Sequence, residues 1–490
     1  MRQDIENLGI SINSAFDKQD ATSLEICIAE GTRIEGLLGD LPDEKMTLYY
    51  YVGNAWSNLD VIRSHGKQEI WSYNREEHIN AIKSFRKCVA VPNATAESSV
   101  NIGIQAYTNL GNMFSSSGRM IFAIESWKKA LGISAHFGMA GCNLAQGLLH
   151  YALSMYDDGH IPLVLRRSYK LFQHHIEHPS LHSGAKTEFQ ACMHWIEKNV
   201  DPEFLSKDNS FKVFSLGRGR REEDYKNWVL RNSLFLNPLN DLFYESAIAH
   251  DVLQLPNMRF RDTKAPVFHG FFNQMKQEFI TARYLFYQYT DELPEHKVHF
   301  SDKGRKLVNT LDYTQHGLRY EMLKNSFRML YSIFDKVAYF VNEYFGLGVN
   351  RKRVYFRSVW FEGKTLNPKL EQFMNNPLRG LYFLSKDFDD EDEEYLSSTD
   401  PEARNMSELR NNIEHKYFKL HWFEIPKPTE ELRFDPIAYS ITEEEMKQKV
   451  LRLLRSAREA LIYLSLSVHC HEKKSRDGGV AMPLFLGDYD

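Results

Sequence analysis

Small and aromatic residues recur at helical spacing between positions 106 and 131, and this pattern limits the possible folds more than any other feature of the chain. Gly111 and Ala123 are small enough to let two neighbouring helices approach closely. Three aromatic residues have the spacing needed to fill the gaps beside them: Tyr107, Phe114 and Trp127. The pattern therefore predicts a pair of closely packed helices.

An earlier segment repeats this arrangement. Gly53 takes the small position on its first helix, and Ala81 takes it on the second. The larger positions of this copy are Tyr49, Val52 and Trp56 on the first helix and Phe85 and Cys88 on the second, with Pro92 closing it. An insertion at about residues 63–73 separates the two helices, and weaker copies surround Leu8-Gly9 and residues 143–176.

These segments resemble tetratricopeptide repeats. At least three repeats are normally needed to bury a continuous core, so we expect residues 1–205 to form an all-α solenoid with degenerate ends. The resemblance implies a concave groove that binds a peptide or protein, with Asn54, Asn109 and Asn112 facing it. The alternative is that these asparagines are ordinary exposed polar residues. Tyr50 stands where the resemblance would place a carboxylate-clamping lysine, which argues against a ligand held by its C-terminal carboxylate.

Near the C-terminus, an arginine, an amide and a histidine follow the spacing R-N-x-x-x-H: Arg410, Asn411 and His415. Apolar residues around them recur at helical intervals: Met406, Leu409, Ile413 and Leu420. This predicts a helix over residues 402–423, with the polar residues on the face opposite the apolar stripe. A histidine moves protons near neutral pH, and an arginine holds phosphate as negative charge builds on it. The cluster therefore has the parts needed to cut RNA without a metal; the alternative is an ordinary surface, with an Arg410–Glu414 ion pair and a solvated His415.

This stretch resembles the signature of the HEPN superfamily, helical-bundle proteins many of which are metal-independent endoribonucleases. The resemblance implies that Arg410 binds the scissile phosphate and that Asn411 orients the phosphate or the histidine. It also implies that His415 is the general acid or base for attack by the ribose 2′-hydroxyl. In the family two chains bring their motifs together, so a homodimer is implied.

Four neighbouring residues are expected to support this site. Glu414 would orient the motif residues or form a salt bridge, and Lys416 and Lys419 are candidates for contacting RNA. Tyr417 matches a tyrosine that receives AMP in related toxin systems. Its place on the predicted helix, about 80° from Leu409, favours a packing role instead.

Four helices of a bundle are predicted at about 272–290, 313–345, 402–423 and 442–468. We therefore expect a HEPN ribonuclease domain over residues 206–490, with core helices at about 272–345 and 402–470. The segments 354–361 and 380–384 are interpreted as short strands or loops that interrupt the bundle.

Composition limits the remaining possibilities. A formal net charge of −5 and a pI near 6.5 argue against broad, sequence-blind nucleic-acid binding, so a local cleft would have to hold the RNA. The chain shows neither a signal peptide nor an apolar run of membrane-spanning length, and its five cysteines are scattered, which favours the cytoplasm. No metal or cofactor site is predicted, because alternate residues of His469-Cys470-His471 point apart on a helix.

The sequence thus predicts an all-α protein in which a tetratricopeptide-like solenoid regulates a dimeric HEPN endoribonuclease. By resemblance, such a protein would act in stress or anti-phage defence. The alternative is a non-catalytic scaffold, whose HEPN bundle serves dimerisation or nucleotide binding.

Overall fold

The computed structural model describes residues 2–64, 72–73, 75–179, 181, 183–208, 211–260, 266–292, 298–388, 406–429, 434–474 and 480–481. Nearly all of the regular structure there is helical, which confirms the predicted all-α class. The chain divides into two compact units. The N-terminal unit comprises Met1–Ser210, Pro368–Phe383 and His469–His471, and the C-terminal unit comprises Phe211–Asn367, Leu384–Val468 and Glu472–Asp490.

The N-terminal unit is built from consecutive helices that pack in pairs, α3 on α4, α5 on α6 and α7 on α8. Its first ten helices are α1 Gln3–Asp17, α2 Ala21–Leu37, α3 Pro42–Ser64, α4 Glu76–Val89, α5 Glu97–Ser116, α6 Met120–Ile133, α7 Gly138–Ser154, α8 His160–His175, α9 Ser183–Asn199 and α10 Pro202–Ser206. Most of the insertion predicted at 63–73 lies outside the described residues.

Two glycines set the spacing within these pairs. A Cβ atom added at Gly111 of α5 would lie 2.4 Å from Nε1 of Trp127 on α6. One added at Gly53 of α3 would lie 2.7 Å from a ring carbon of Phe85 on α4. Since any larger side chain would force the aromatic rings away, the close helix approach predicted for both segments is confirmed.

The later elements include seven helices and three short two-stranded pairings among the described residues. The helices are α11 Arg220–Arg231, α12 Val267–Tyr287, α13 Leu318–Phe345, α14 Lys369–Gln372, α15 Asn376–Ser385, α16 Met406–His415 and α17 Glu443–Lys474. The strands are β1 Arg259–Phe260, β2 Phe361–Glu362, β3 Thr365–Leu366, β4 Phe418–His421, β5 Tyr439–Thr442 and β6 Val480–Ala481. The pairs β1–β6 and β2–β3 are antiparallel, whereas β4 and β5 are parallel, with Phe418 opposite Tyr439.

In the C-terminal unit, α12 and α13 pack against each other, and α13 also contacts α16. The long α13 ends at Gly346, whose φ of +62° is the left-handed conformation that terminates many helices. Two buried arginines hold the loop segments that precede α12. Arg283 of α12 forms a bidentate pair with Asp251 at 2.8 and 2.9 Å, and Arg458 of α17 reaches Asp241 at 2.7 Å.

Two predicted elements differ from the structure. The helix expected over 402–423 ends at His415, and its predicted continuation forms strand β4 instead. The backbone of this region is engaged from two sides: the N–H of Tyr439 donates to the carbonyl of Tyr417, and the N–H of Gln315 donates to that of Leu420. Leu420 is therefore buried as part of a strand and not of a helix. The few apolar residues at helical intervals do not exclude a strand at this position. Residues 380–384, interpreted as strand or loop, lie in helix α15.

Candidate active site on helix α16

The motif side chains of helix α16 have a fixed direction because the opposite face of the helix is buried. Met406, Leu409 and Ile413 are buried, as the predicted apolar stripe requires. Asn412 is also buried, and its amide donates to the carbonyl of Glu408 at 2.8 Å, which satisfies a polar group within the helix. The anchored face fixes the rotation of α16 and hence the direction of the polar side chains.

Arg410 is positioned by three neighbours. Its Nη1 donates to Oδ1 of Asn411 at 2.9 Å, and its Nη2 lies 3.7 Å from Oδ2 of Asp335 on α13. The guanidinium carbon lies 5.5 Å from the ring centre of Tyr331, a cation–π contact. With one third of its side chain exposed, the guanidinium is oriented but only loosely neutralised.

Among the residues that the structure describes, Asp335 is the carboxylate closest to this guanidinium. Burial raises the pKa of its carboxyl, against the opposing effects of the Phe356 N–H and the positive charges of Arg410 and Arg357. The Phe356 N–H donates to Oδ1 at 3.2 Å, which leaves Oδ2 directed towards Arg410. The backbone therefore fixes one oxygen, while the other forms a long contact with Arg410.

His415 is the last residue of α16 and is exposed. Its position lies about 140° around the helix from Arg410 and about 7.5 Å along the axis. Asn411, also exposed, is one turn before it, so the two are neighbours on the solvent-facing side. Within the described parts of the chain, the side chain of His415 forms no hydrogen bond or ion pair, so the imidazole is accessible to a ligand.

Glu414 does not pair with Arg410. Its Oε1 lies 3.7 Å from Nε of Arg328 on α13, and Nη2 of Arg328 donates to the carbonyl of Ile413 at 2.7 Å. Arg328 thus satisfies a carbonyl in the last turn of α16, where helical carbonyls lack intrahelical partners. The alternative interpretation of an Arg410–Glu414 surface ion pair is therefore wrong.

The residues after the helix separate into exposed and buried groups. Lys416 is exposed and available to a polyanion. Tyr417 is 45% exposed and lies beyond the end of the helix, with the ammonium of Lys419 5.3 Å from its ring centre. Lys419 is only 5% exposed, with its ammonium 2.6 Å from Asp312 and 2.8 Å from Asp435. Two carboxylates thus hold Lys419 away from any RNA, contrary to the contact expected from sequence.

A cavity of about 270 Å³ opens beside Arg410. Its aromatic lining comes from Tyr331 and Phe334 of α13, Tyr355 and Phe356 of the following segment, and Phe388. Its polar lining comes from Asp335, Arg357, Ser407, Arg410 and Asn411. The hydroxyls of Tyr331 and Ser407 share a hydrogen bond of 3.0 Å across the α13–α16 contact.

This cavity was not predicted from the sequence, because its lining comes from four separate segments of the chain. The available signal was the spacing of Tyr331 and Asp335, which are four residues apart and so share one face of the helix. A carboxylate in an otherwise aromatic stripe would have marked that face as something other than core.

The three asparagines predicted to face a peptide groove are half-buried and engaged with other residues. Nδ2 of Asn109 donates to Oδ1 of Asn54 at 2.9 Å, which links α5 to α3. Oδ1 of Asn112 accepts from the indole of Trp127 at 3.1 Å. Their amides therefore serve the packing of the helices, and a groove ligand would have to compete with these bonds.

No group of three or more His, Cys, Asp or Glu side chains is arranged to hold a metal ion in the described ranges. No helix among them is long and apolar enough to cross a membrane.

Comparison with known proteins gives a family match for part of the chain. Residues 260–471 match the family model described as LA2681-like HEPN, a range that contains the cavity and all of α16. Comparisons with curated proteins and with solved structures gave no match. HEPN domains are common in nuclease-like and RNA-related proteins. By this match, residues 260–471 are an LA2681-like HEPN domain, which together with the motif supports a HEPN superfamily protein.

Proposed function

We propose that this protein is a metal-independent endoribonuclease that cuts RNA by transesterification at the surface of α16. Arg410, Asn411 and His415 are its catalytic residues, and Lys416 contacts the RNA backbone. Two copies act together through their HEPN domains, so that the working site is composite.

The position of Arg410 is the observation that carries this proposal. A guanidinium in a tight, buried ion pair is not available to a phosphate, but the nearest carboxylate oxygen to Arg410 in the described part of the chain is 3.7 Å away. Asn411 and Tyr331 restrict the orientation of its guanidinium, which reduces the entropy lost on binding a phosphate. Such a preoriented cation is suited to the extra negative charge of a pentacoordinate phosphorus.

The reaction follows from these groups. The ribose 2′-oxygen attacks the adjacent phosphorus while a base removes its proton, and the bond from phosphorus to the 5′-oxygen breaks as that oxygen gains a proton. His415 performs one of the two proton transfers, and His415 of the second copy performs the other. The products are a 2′,3′-cyclic phosphate and a 5′-hydroxyl, with no change in oxidation state.

The N-terminal unit would regulate this activity. Its repeat-like helix pairs belong to a type of scaffold that binds peptides or proteins, and such a ligand would be the trigger. A role in stress or anti-phage defence follows from the family resemblance alone. The proposed boundary between the repeat-like domain and the HEPN domain lies between residues 205 and 206.

The test uses the purified full-length chain and 5′-labelled single-stranded RNA in excess EDTA. The wild type is expected to yield fragments with cyclic-phosphate ends, His415→Ala to lose at least about 100-fold in rate, and the control His194→Ala to match the wild type. His194 is suitable because it is exposed and lies on α9, outside the HEPN match. Equal cleavage by His415→Ala and wild type would refute the assignment. Absence of cleavage both in vitro and in induced cells would favour the non-catalytic alternative.

A further inference from the structure

The cavity beside Arg410 combines two kinds of lining that a nucleotide requires. Aromatic side chains make up half of its ten lining residues, and Phe334, Phe356 and Phe388 pack together with ring centres 4.5 to 6.0 Å apart. Tyr355, which also lines the cavity, is 53% exposed. Flat apolar walls with one accessible ring suit a planar base, because base–aromatic stacking is the usual way of holding an unpaired nucleotide.

Charged groups also line this cavity. Arg410 and Arg357 supply positive charge, and Asp335 supplies an acceptor about one third exposed. Because the Phe356 N–H fixes Oδ1 of Asp335, the carboxylate cannot rotate freely to suit every base. A carboxylate accepts two parallel hydrogen bonds best from a base edge with two adjacent N–H donors, and among the four bases guanine has that edge.

We propose that this cavity is a nucleobase subsite, in which Asp335 selects guanine next to the phosphate held by Arg410. The subsite rests on the proposed function for its link to cleavage, since Arg410 is common to both. Recognition of the base, however, is a property of the cavity that does not require a catalytic His415. The two proposals can therefore fail independently.

The test measures binding rather than cleavage. Full-length protein carrying His415→Ala is titrated with GMP, AMP, CMP and UMP by calorimetry. GMP is expected to bind at least about tenfold more tightly than the others, as a bidentate pair provides. Adding Asp335→Asn should reduce this preference to within about threefold, whereas Asp224→Asn, an exposed carboxylate on α11, should leave it unchanged.

Two more variants separate the base from the phosphate. Tyr355→Ala should weaken all four nucleotides by a similar factor, about tenfold, because stacking is insensitive to base identity. Arg410→Ala should weaken GMP but leave guanosine, which has no phosphate, unaffected. Matching melting curves confirm that each variant is folded.

Three results would overturn the subsite. These are equal affinities for the four nucleotides, a guanine preference that survives Asp335→Asn, or binding unaffected by Tyr355→Ala. If the wild type cuts RNA but shows any of these, the subsite fails while the nuclease stands. If GMP is selected as described but no RNA is cut, the nuclease fails while the subsite stands.

Discussion

Lys419 and Asp312, separated by 107 residues in sequence, form a buried ion pair with Nζ 2.6 Å from Oδ2. The carboxylate also accepts from the hydroxyls of Thr310 and Thr314 at 2.5 and 2.8 Å. The residues on either side of Asp312, Leu311 and Tyr313, have φ values of 59° and 60°, a conformation that is unfavourable for their side chains. The ion pair and hydroxyl bonds thus hold a strained loop against the strand that follows the motif helix.

Lys419→Met is expected to destabilise the protein by about 3–5 kcal/mol at pH 7, because it leaves Asp312 buried without its partner. Lys416→Met removes the same charge from an exposed position nearby and should change stability by less than about 0.5 kcal/mol. Urea unfolding of both variants and the wild type makes the comparison. Equal stability of all three would show that the buried pair contributes nothing to the folded state.

The Lys419–Asp312 pair also makes the stability of the protein depend on pH. Burial acts to raise the pKa of Asp312, but hydrogen bonds from Lys419 and the two threonines outweigh it and lower the pKa. A lowered folded-state pKa adds stability above the unfolded value, about 3.9, and this stability is lost as the pH falls below it. The difference between wild type and Lys419→Met should therefore be smaller at pH 3 than at pH 7.

Gly111→Ala is expected to destabilise the N-terminal unit by about 1–3 kcal/mol, since the new methyl group would overlap the indole of Trp127. Gly132→Ala is the matched control on α6, where an added Cβ meets nothing within 4 Å. Because alanine favours helix over glycine, the control should be stabilising by up to about 1 kcal/mol. Thermal unfolding checks both, and a neutral Gly111→Ala would mean that the indole moves aside without cost.

Some of these features could be predicted from the sequence, and others could not. Gly111 was predictable as a close-contact site, because a small residue among aromatics at helical spacing has a limited number of packing solutions. The motif residues were likewise predictable, since their spacing defines one helix. Lys419 was not, because its burial depends on Asp312, more than one hundred residues away, and on a strand pairing that apolar spacing did not reveal. The cavity beside Arg410 was missed for the same reason, since four separate segments line it.

His175 gives the N-terminal unit a second pH dependence. It is 4% exposed and packs on Gly141, and burial, with smaller effects from His174, His178 and His136, lowers its pKa to about 4. On acidification the unfolded chain binds a proton near pH 6.5 while the folded chain does not, so stability falls as the pH drops from 6.5 towards 4.

His175→Phe removes this proton uptake. Between pH 6.5 and pH 5, the free energy of unfolding of this variant should therefore fall by about 2 kcal/mol less than that of the wild type. His194→Gln, at an exposed position on α9, should keep the wild-type pH slope. Urea unfolding at the two pH values measures the difference. An unchanged slope in His175→Phe would assign the acid sensitivity to other groups.

Asn411→Ala tests whether the orientation of Arg410 matters for cleavage. The substitution removes the hydrogen bond that Nη1 of Arg410 donates, so the guanidinium should sample positions unsuited to the phosphate. We expect kcat to fall by about 10–100-fold with little change in KM, because the charge itself remains. Glu414→Gln on the same helix should stay within about threefold of wild type, since Glu414 pairs with Arg328 and not with Arg410. Cleavage rates in EDTA provide the measurement, and a change confined to KM would indicate that Asn411 binds RNA directly instead of orienting Arg410.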